Sequence, residues 1–121
     1  MQIYSHTLYG IADRTNYNDR RSDFRTLDEA LENLIKMRNP KKYLITKSEF
    51  SRVFDDDGIF QRETIQTTKV DISLWEIREC TEMGYDAHLK YFTDIQKAFE
   101  YSNIQERYNP GYHYYHIEHK L

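Results

Sequence analysis

The chain has 121 residues, 39% of them hydrophobic and 15% aromatic, with a net charge of −3. That suits one folded domain and excludes a disordered chain, and the mild negative charge gives no electrostatic ground for tight nucleic-acid binding. No apolar run reaches the ~20 residues of a membrane span, the first residues do not form a secretory signal, and the one cysteine, Cys80, excludes an internal disulfide and fits a reducing, cytoplasmic setting.

From the N-terminus, residues 3–11 read as a strand. The polar stretch 13–23 reads as a long loop, of a length that is usually functional or disordered in a compact domain. Residues 26–38 form the clearest helix: Leu27, Ala30, Leu31, Leu34 and Ile35 make one apolar stripe, and Thr26 with Glu29 has capping-box spacing. Pro40 forces Asn39 out of helical geometry and ends it. A strand over 43–50 follows. Asp56-Asp57-Gly58 then lies between extended stretches 51–54 and 59–65, the pattern of a hairpin whose glycine supplies positive φ. Val70, Ile72 and Leu74 alternate with polar residues, so 69–78 is the cleanest strand pattern; residues 81–90 read as a second polar loop. A second helix over 94–105 repeats the stripe with Ile95, Ala98, Phe99 and Ser102, and a strand over 112–119 closes the chain.

These elements form a repeat. Phe24, Leu27, Ala30 and Leu31 recur as Phe92, Ile95, Ala98 and Phe99, and each copy runs to an Asn-Pro, at Asn39-Pro40 and Asn109-Pro110. The implied order is β-α-β, a hairpin, then β-α-β, with halves at about 1–50 and 69–121 of a single domain. The expected fold is α+β: a ferredoxin-like antiparallel sheet with both helices on one face.

No motif points to catalysis. The four glycines at 10, 58, 84 and 111 are scattered, so no phosphate-cradling loop exists, and no Gly-x-Ser-x-Gly elbow is present. His113, His116 and His119 are spaced like metal ligands, but on a strand His116 points away from the other two, so the expected reading is an edge strand with solvated histidines and no metal. In Asp55-Asp56-Asp57-Gly58 the glycine follows the third Asp directly instead of standing sixth, and no twelfth-position Glu follows in register, so the reading is a charged hairpin tip and not a calcium loop. The expectation is a non-enzymatic chain without a cofactor.

Charge is unevenly spread: residues 1–52 carry +3 and residues 53–121 carry −6. Asp55, Asp56, Asp57, Glu76, Glu79, Glu82 and Asp86 are interspersed with Trp75, Met83 and Tyr85, which suits docking onto a basic protein surface: charge steers and rings anchor. Arg20, Arg21, Lys36, Arg38, Lys41 and Lys42, with Tyr17 and Tyr43 among them, form the alternative, a patch for gripping phosphates while rings stack on bases. Tyr supplies 11 of the aromatic residues; strand packing is its simplest use, contact surfaces the next.

A short, motif-free chain with Tyr-rich strands and few Ala, Gly and Pro resembles the small accessory proteins of phages and mobile elements. Among these are inhibitors of host defence of the anti-CRISPR kind. The resemblance covers the whole chain in style and has no motif, so no site residue is carried over. It implies a stoichiometric inhibitor binding a protein partner, such as a nucleic-acid-binding host effector. A small-ligand binder or enzyme with its site between helix and sheet is the third reading. The Tyr-rich C-terminal strand, if it is an exposed edge, also allows a homodimer.

Overall fold

The computed structural model describes the backbone of residues 1–121 and all side chains except those of residues 17–22. The chain is α+β and divides into two compact units, Met1–Val70 and Asp71–Leu121. In the first, the order is β1 (Gln2–Asp13), β2 (Asn16–Phe24), α1 (Leu27–Ile35), a 3-10 turn (Pro40–Lys42), β3 (Tyr43–Phe54) and β4 (Phe60–Lys69). In the second it is β5 (Ser73–Thr81), β6 (Asp86–Phe92), α2 (Ile95–Tyr108) and β7 (Tyr112–Lys120). The strands form two antiparallel sheets, ordered β2-β1-β3-β4 and β6-β5-β7, where the sequence pattern suggested one.

The repeat is therefore β-β-α-β. Residues 13–23 and 81–90, expected as long loops, are each a tight turn followed by a strand. Asp13 Oδ1 accepts from Thr15 N at 2.9 Å and from Thr15 Oγ1 at 2.6 Å to close the first turn. Thr81 Oγ1 accepts from Tyr85 N at 3.2 Å in the second, where Gly84 takes φ +84°. The reason polarity misled is visible in β6: it is an edge strand whose first residues Asp86, Ala87 and His88 are exposed, so no apolar alternation is needed.

The 69–78 strand is also divided. Lys69 ends β4 and Ser73 begins β5, because the backbone at Val70 bonds to Ile45 O in the first unit while Ile72 O accepts from Leu121 N in the second. Residues 43–50 and 51–54, expected as separate strands, are one continuous β3.

Both helices start as their caps dictate. Thr26 Oγ1 accepts from Glu29 N, and Asp94 Oδ1 accepts from Gln96 N. Helix α1 stops at Ile35, short of the expected Arg38; Met37 N reaches Leu34 O in a tighter turn before Asn39-Pro40. Helix α2 outlasts its expected end. Ser102, a polar residue in the apolar stripe, is buried, and its Oγ meets Phe99 O and His116 Nε2 of β7.

The first core gathers Ile11, Ala12, Ala30, Leu34, Leu44 and Ile45, all nearly inaccessible. Consecutive burial of Leu44, Ile45 and Thr46 means that both faces of β3 are covered there. The second core contains Leu74, Ile77, Ala98 and Leu121. Ala30 and Ala98 occupy the same repeat position with no exposed surface, so a small side chain lets each helix approach closely.

Candidate functional site

Away from its core the first sheet continues as a three-stranded arm of residues 2–6, 50–54 and 60–66. Registry pairs Tyr4 with Arg52, His6 with Phe50, Arg52 with Glu63 and Phe50 with Ile65, so all six share one face. On that face Tyr4 meets Phe54 edge-on at 5.5 Å, and Phe54 meets Phe60 at 5.8 Å. His6 stacks on Phe50 at 4.7 Å, and Arg52 Nε donates to Glu63 Oε2 at 2.7 Å. Tyr4, Phe60 and Ile65 are nevertheless 59%, 52% and 56% exposed, and Ile3 on the opposite face is 57% exposed. Burying such rings requires something larger than this arm supplies.

The tip of the arm is the Asp55-Asp56-Asp57-Gly58 turn, with Gly58 at φ +78° as the Asp-Gly pattern requires. Its acids have different roles. Asp55 Oδ1 accepts from Asp57 N and Ile59 N, both at 2.9 Å, and Oδ2 accepts from Gln61 Nε2 at 3.1 Å, so Asp55 builds the turn. Asp56, beside the Met1 amino group, and Asp57 are exposed.

A different site lies in the second unit. Glu76 of β5 is 2% exposed, yet charged. Its Oε1 accepts from His119 Nε2 at 2.7 Å; its Oε2 accepts from His88 Nδ1 at 2.7 Å and Arg78 Nη1 at 2.9 Å. A carboxylate only accepts, so the bonds fix the imidazole protons on Nδ1 of His88 and Nε2 of His119. Arg78 Nε continues to Asp86 Oδ1 at 3.1 Å, and Tyr115 Oη donates to Asp86 Oδ2 at 2.5 Å. Tyr91 lies against His88 with ring centres 4.3 Å apart. Strand pairing assembles the group: Glu76 and Arg78 are two apart on β5, and Arg78 faces His88 on β6 and Tyr115 on β7.

Burial pushes the Glu76 carboxyl up, but hydrogen bonds from His119, His88 and Arg78 outweigh it and hold the pKa down to about 2. The Tyr115 hydroxyl lowers Asp86, and Glu76 raises Arg78 further above its ordinary value. On the other face of β5, Tyr114 Oη donates to Glu79 Oε2 at 2.8 Å; burial first, then that carboxylate, pushes Tyr114 up to about 12. With three donors on Glu76, the network ties β6 and β7 to β5.

The acidic–aromatic residues marked in the sequence thus occupy several places. Asp55, Asp56 and Asp57 are at the arm tip of the first unit; Glu76 and Asp86 share the network. Trp75 and Glu79 face the opposite way on β5, and Glu82 and Tyr85 lie exposed in the β5–β6 turn with Met83. Of the basic residues, Arg38 and Lys42 line a depression of about 690 Å³ with Met37, Asn39 and Tyr43. Lys36 is exposed nearby, and Lys41 O accepts from Arg14 Nη1 at 3.3 Å. Arg20 and Arg21 lie outside the described side chains. The histidines at 113, 116 and 119 lie on an edge strand and diverge as strand geometry dictates, but two are half-buried and bonded: His116 meets Ser102 and the Phe99 ring, and His119 meets Glu76. Among the described residues no group of His, Cys, Asp or Glu is disposed to hold a metal ion, and no helix is long and apolar enough to cross a membrane.

Arg78, His88, Tyr91 and Tyr115 were not singled out in the sequence. Glu76 and Arg78 alternating beside Leu74 and Ile77 was the available signal, a charged pair in an apolar strand. No family model matches the chain, and no curated protein or solved structure is found to match it.

Proposed function

We propose that this chain is a non-enzymatic protein-binding protein and that the arm of its first unit makes the contact. The observation that carries this is the exposure of Ile3, Tyr4, Ile59, Phe60 and Ile65 on a sheet whose tip presents Asp56 and Asp57. Large side chains left in water beside acids suit a partner with apolar pockets in a basic surroundings: the acids steer the encounter and the rings anchor it. The partner class that fits is a protein with a basic surface, such as the nucleic-acid groove of a host defence effector, and the chain acts on it as a stoichiometric inhibitor. Glu82, Tyr85 and Met83 are a secondary contact. Glu76, Glu79 and Asp86 serve the architecture, since each carboxylate ties one strand of the second sheet to another.

The test is capture from a nuclease-treated bacterial lysate by the tagged chain and by a variant with Asp56→Asn, Asp57→Asn and Phe60→Ala, whose unfolding midpoint is measured alongside. The expected result is a stoichiometric protein retained by the original chain and lost by the folded variant. Retention by the variant overturns the placement of the contact. Capture that disappears with nuclease overturns the class and favours Lys36, Arg38, Lys41 and Lys42 as a nucleic-acid surface.

A further inference from the structure

Strand β4 ends its sheet, and nine of its ten residues are exposed. An edge strand offers a row of backbone donors and acceptors, and proteins usually blunt such edges with proline, short length or a lysine near the middle. β4 has no proline and is ten residues long, and its charges, Arg62, Glu63 and Lys69, stand toward its two ends and leave Thr64–Thr68 uncharged. It reads Phe-Gln-Arg-Glu-Thr-Ile-Gln-Thr-Thr-Lys, and its one irregularity is the shift near the tip, where Phe54 pairs with Phe60. The stretch from Arg62 to Lys69 is regular and rich in β-branched residues, which favour strand pairing.

We propose that two copies of this chain pair through β4, antiparallel, about a twofold axis perpendicular to the sheet and centred on Gln66. The commitment to a second copy rests on charge complementarity. Residues directly opposite in an antiparallel pair share a face, so the axis must pass through a residue and only a few registers exist. Centred on Glu63, the two carboxylates oppose each other. Centred on Thr64, Glu63 meets Ile65; centred on Ile65, Glu63 meets Thr67 and Lys69 meets Gln61. Centred on Gln66, Glu63 meets Lys69 of the second copy, and the same pair forms again on the other side of the axis. Thr64 then faces Thr68, and Ile65 faces Thr67. In that register Glu63, which also accepts from Arg52 of its own copy, lies opposite Lys69 of the second, while Arg62 faces Val70, and opposite-charge cross-strand pairs favour it over its neighbours. Centres beyond Gln66 shorten the overlap.

The pairing joins two arms into one sheet in which the faces bearing Tyr4, Phe50 and Phe60 continue from copy to copy. It uses the strand's edge and leaves that face exposed, so it stands independently of the partner-binding reading and either can fail alone.

Sedimentation equilibrium over a concentration series is the first test, with the original chain and with Lys69→Glu. The expected results are a monomer–dimer equilibrium for the original chain and dimerisation weakened about tenfold in the variant, where two attractive pairs become repulsive. The register is tested by single cysteines in a Cys80→Ser background. Gln66→Cys sits on the axis and is expected to form a covalent dimer on mild oxidation. Thr64→Cys, whose two copies lie about 13 Å apart in this register, is expected to stay monomeric on the same gel. A monomer at every concentration overturns the proposal, as does cross-linking of Thr64→Cys equal to that of Gln66→Cys, or dimerisation indifferent to Lys69→Glu.

Discussion

The two sheets share a plan but differ in what holds it. Pairing of Asp13 with Tyr43 in the first unit corresponds to pairing of Thr81 with Tyr112 in the second, so Leu8, Gly10 and Ala12 of β1 occupy the register positions of Glu76, Arg78 and Cys80 of β5. On one face of the first sheet the side chains are therefore small or apolar, with Ala12, Leu44, Thr46 and Ser48 nearly inaccessible. On the matching face of the second, Glu76 and Arg78 are met by His88, His119, Asp86 and Tyr115. The same backbone is thus supported by packing in one copy and by a closed charge network in the other. Networks of this kind stabilise only while every member is present.

The sharpest way to break the comparison is Glu76→Ala. Removing the buried acceptor strips its hydrogen bonds from Arg78, His88 and His119, and the expected loss is about 3 kcal/mol of stability by urea unfolding. Leu34→Ala tests the packed half: a fully buried leucine becomes a cavity, at an expected cost of about 2–5 kcal/mol. Its repeat partner Ser102→Ala loses the hydrogen bonds to Phe99 O and His116, and about 1 kcal/mol is expected.

Acid tests the Glu76 network without mutation. The Glu76 pKa is about 2 folded against an ordinary 4.5, so its charge contributes stability that is complete above about pH 4.5 and is lost as pH falls toward 2. The total is on the order of 3 kcal/mol. Asp86, also lowered, adds in the same direction. Unfolding monitored from pH 6 to pH 2 is expected to show this slope in the original chain and a shallower one in Glu76→Gln. The smallest effect is a gain. Thr46 Oγ1 is buried without a hydrogen-bond partner among the described residues, so Thr46→Val is expected to stabilise the chain by about 1 kcal/mol in the same assay.

What the sequence disclosed follows from how local each signal is. The Leu27–Ala30–Leu34 stripe, the Thr26 cap and the Asp57-Gly58 turn depend on neighbours within a few residues, and all are found where they were expected. β2 and β6 were missed because an edge strand needs no apolar alternation. The Glu76 network was invisible for the same reason: His88 belongs to β6, and until β6 is a strand nothing brings His88 beside Arg78. The arm was hidden differently. Tyr4, Phe60 and Ile65 have the residue types of a packed sheet, and only the three-dimensional arrangement reveals that nothing in the arm covers them.

The most direct test of the account is hydrogen exchange on the chain alone and in complex with the partner recovered by capture. The expected result is new protection in residues 2–6 and 50–65, with exchange in β5, β6 and β7 unchanged. Protection confined to residues 75–86 or 36–43, with the arm exchanging as before, would contradict it.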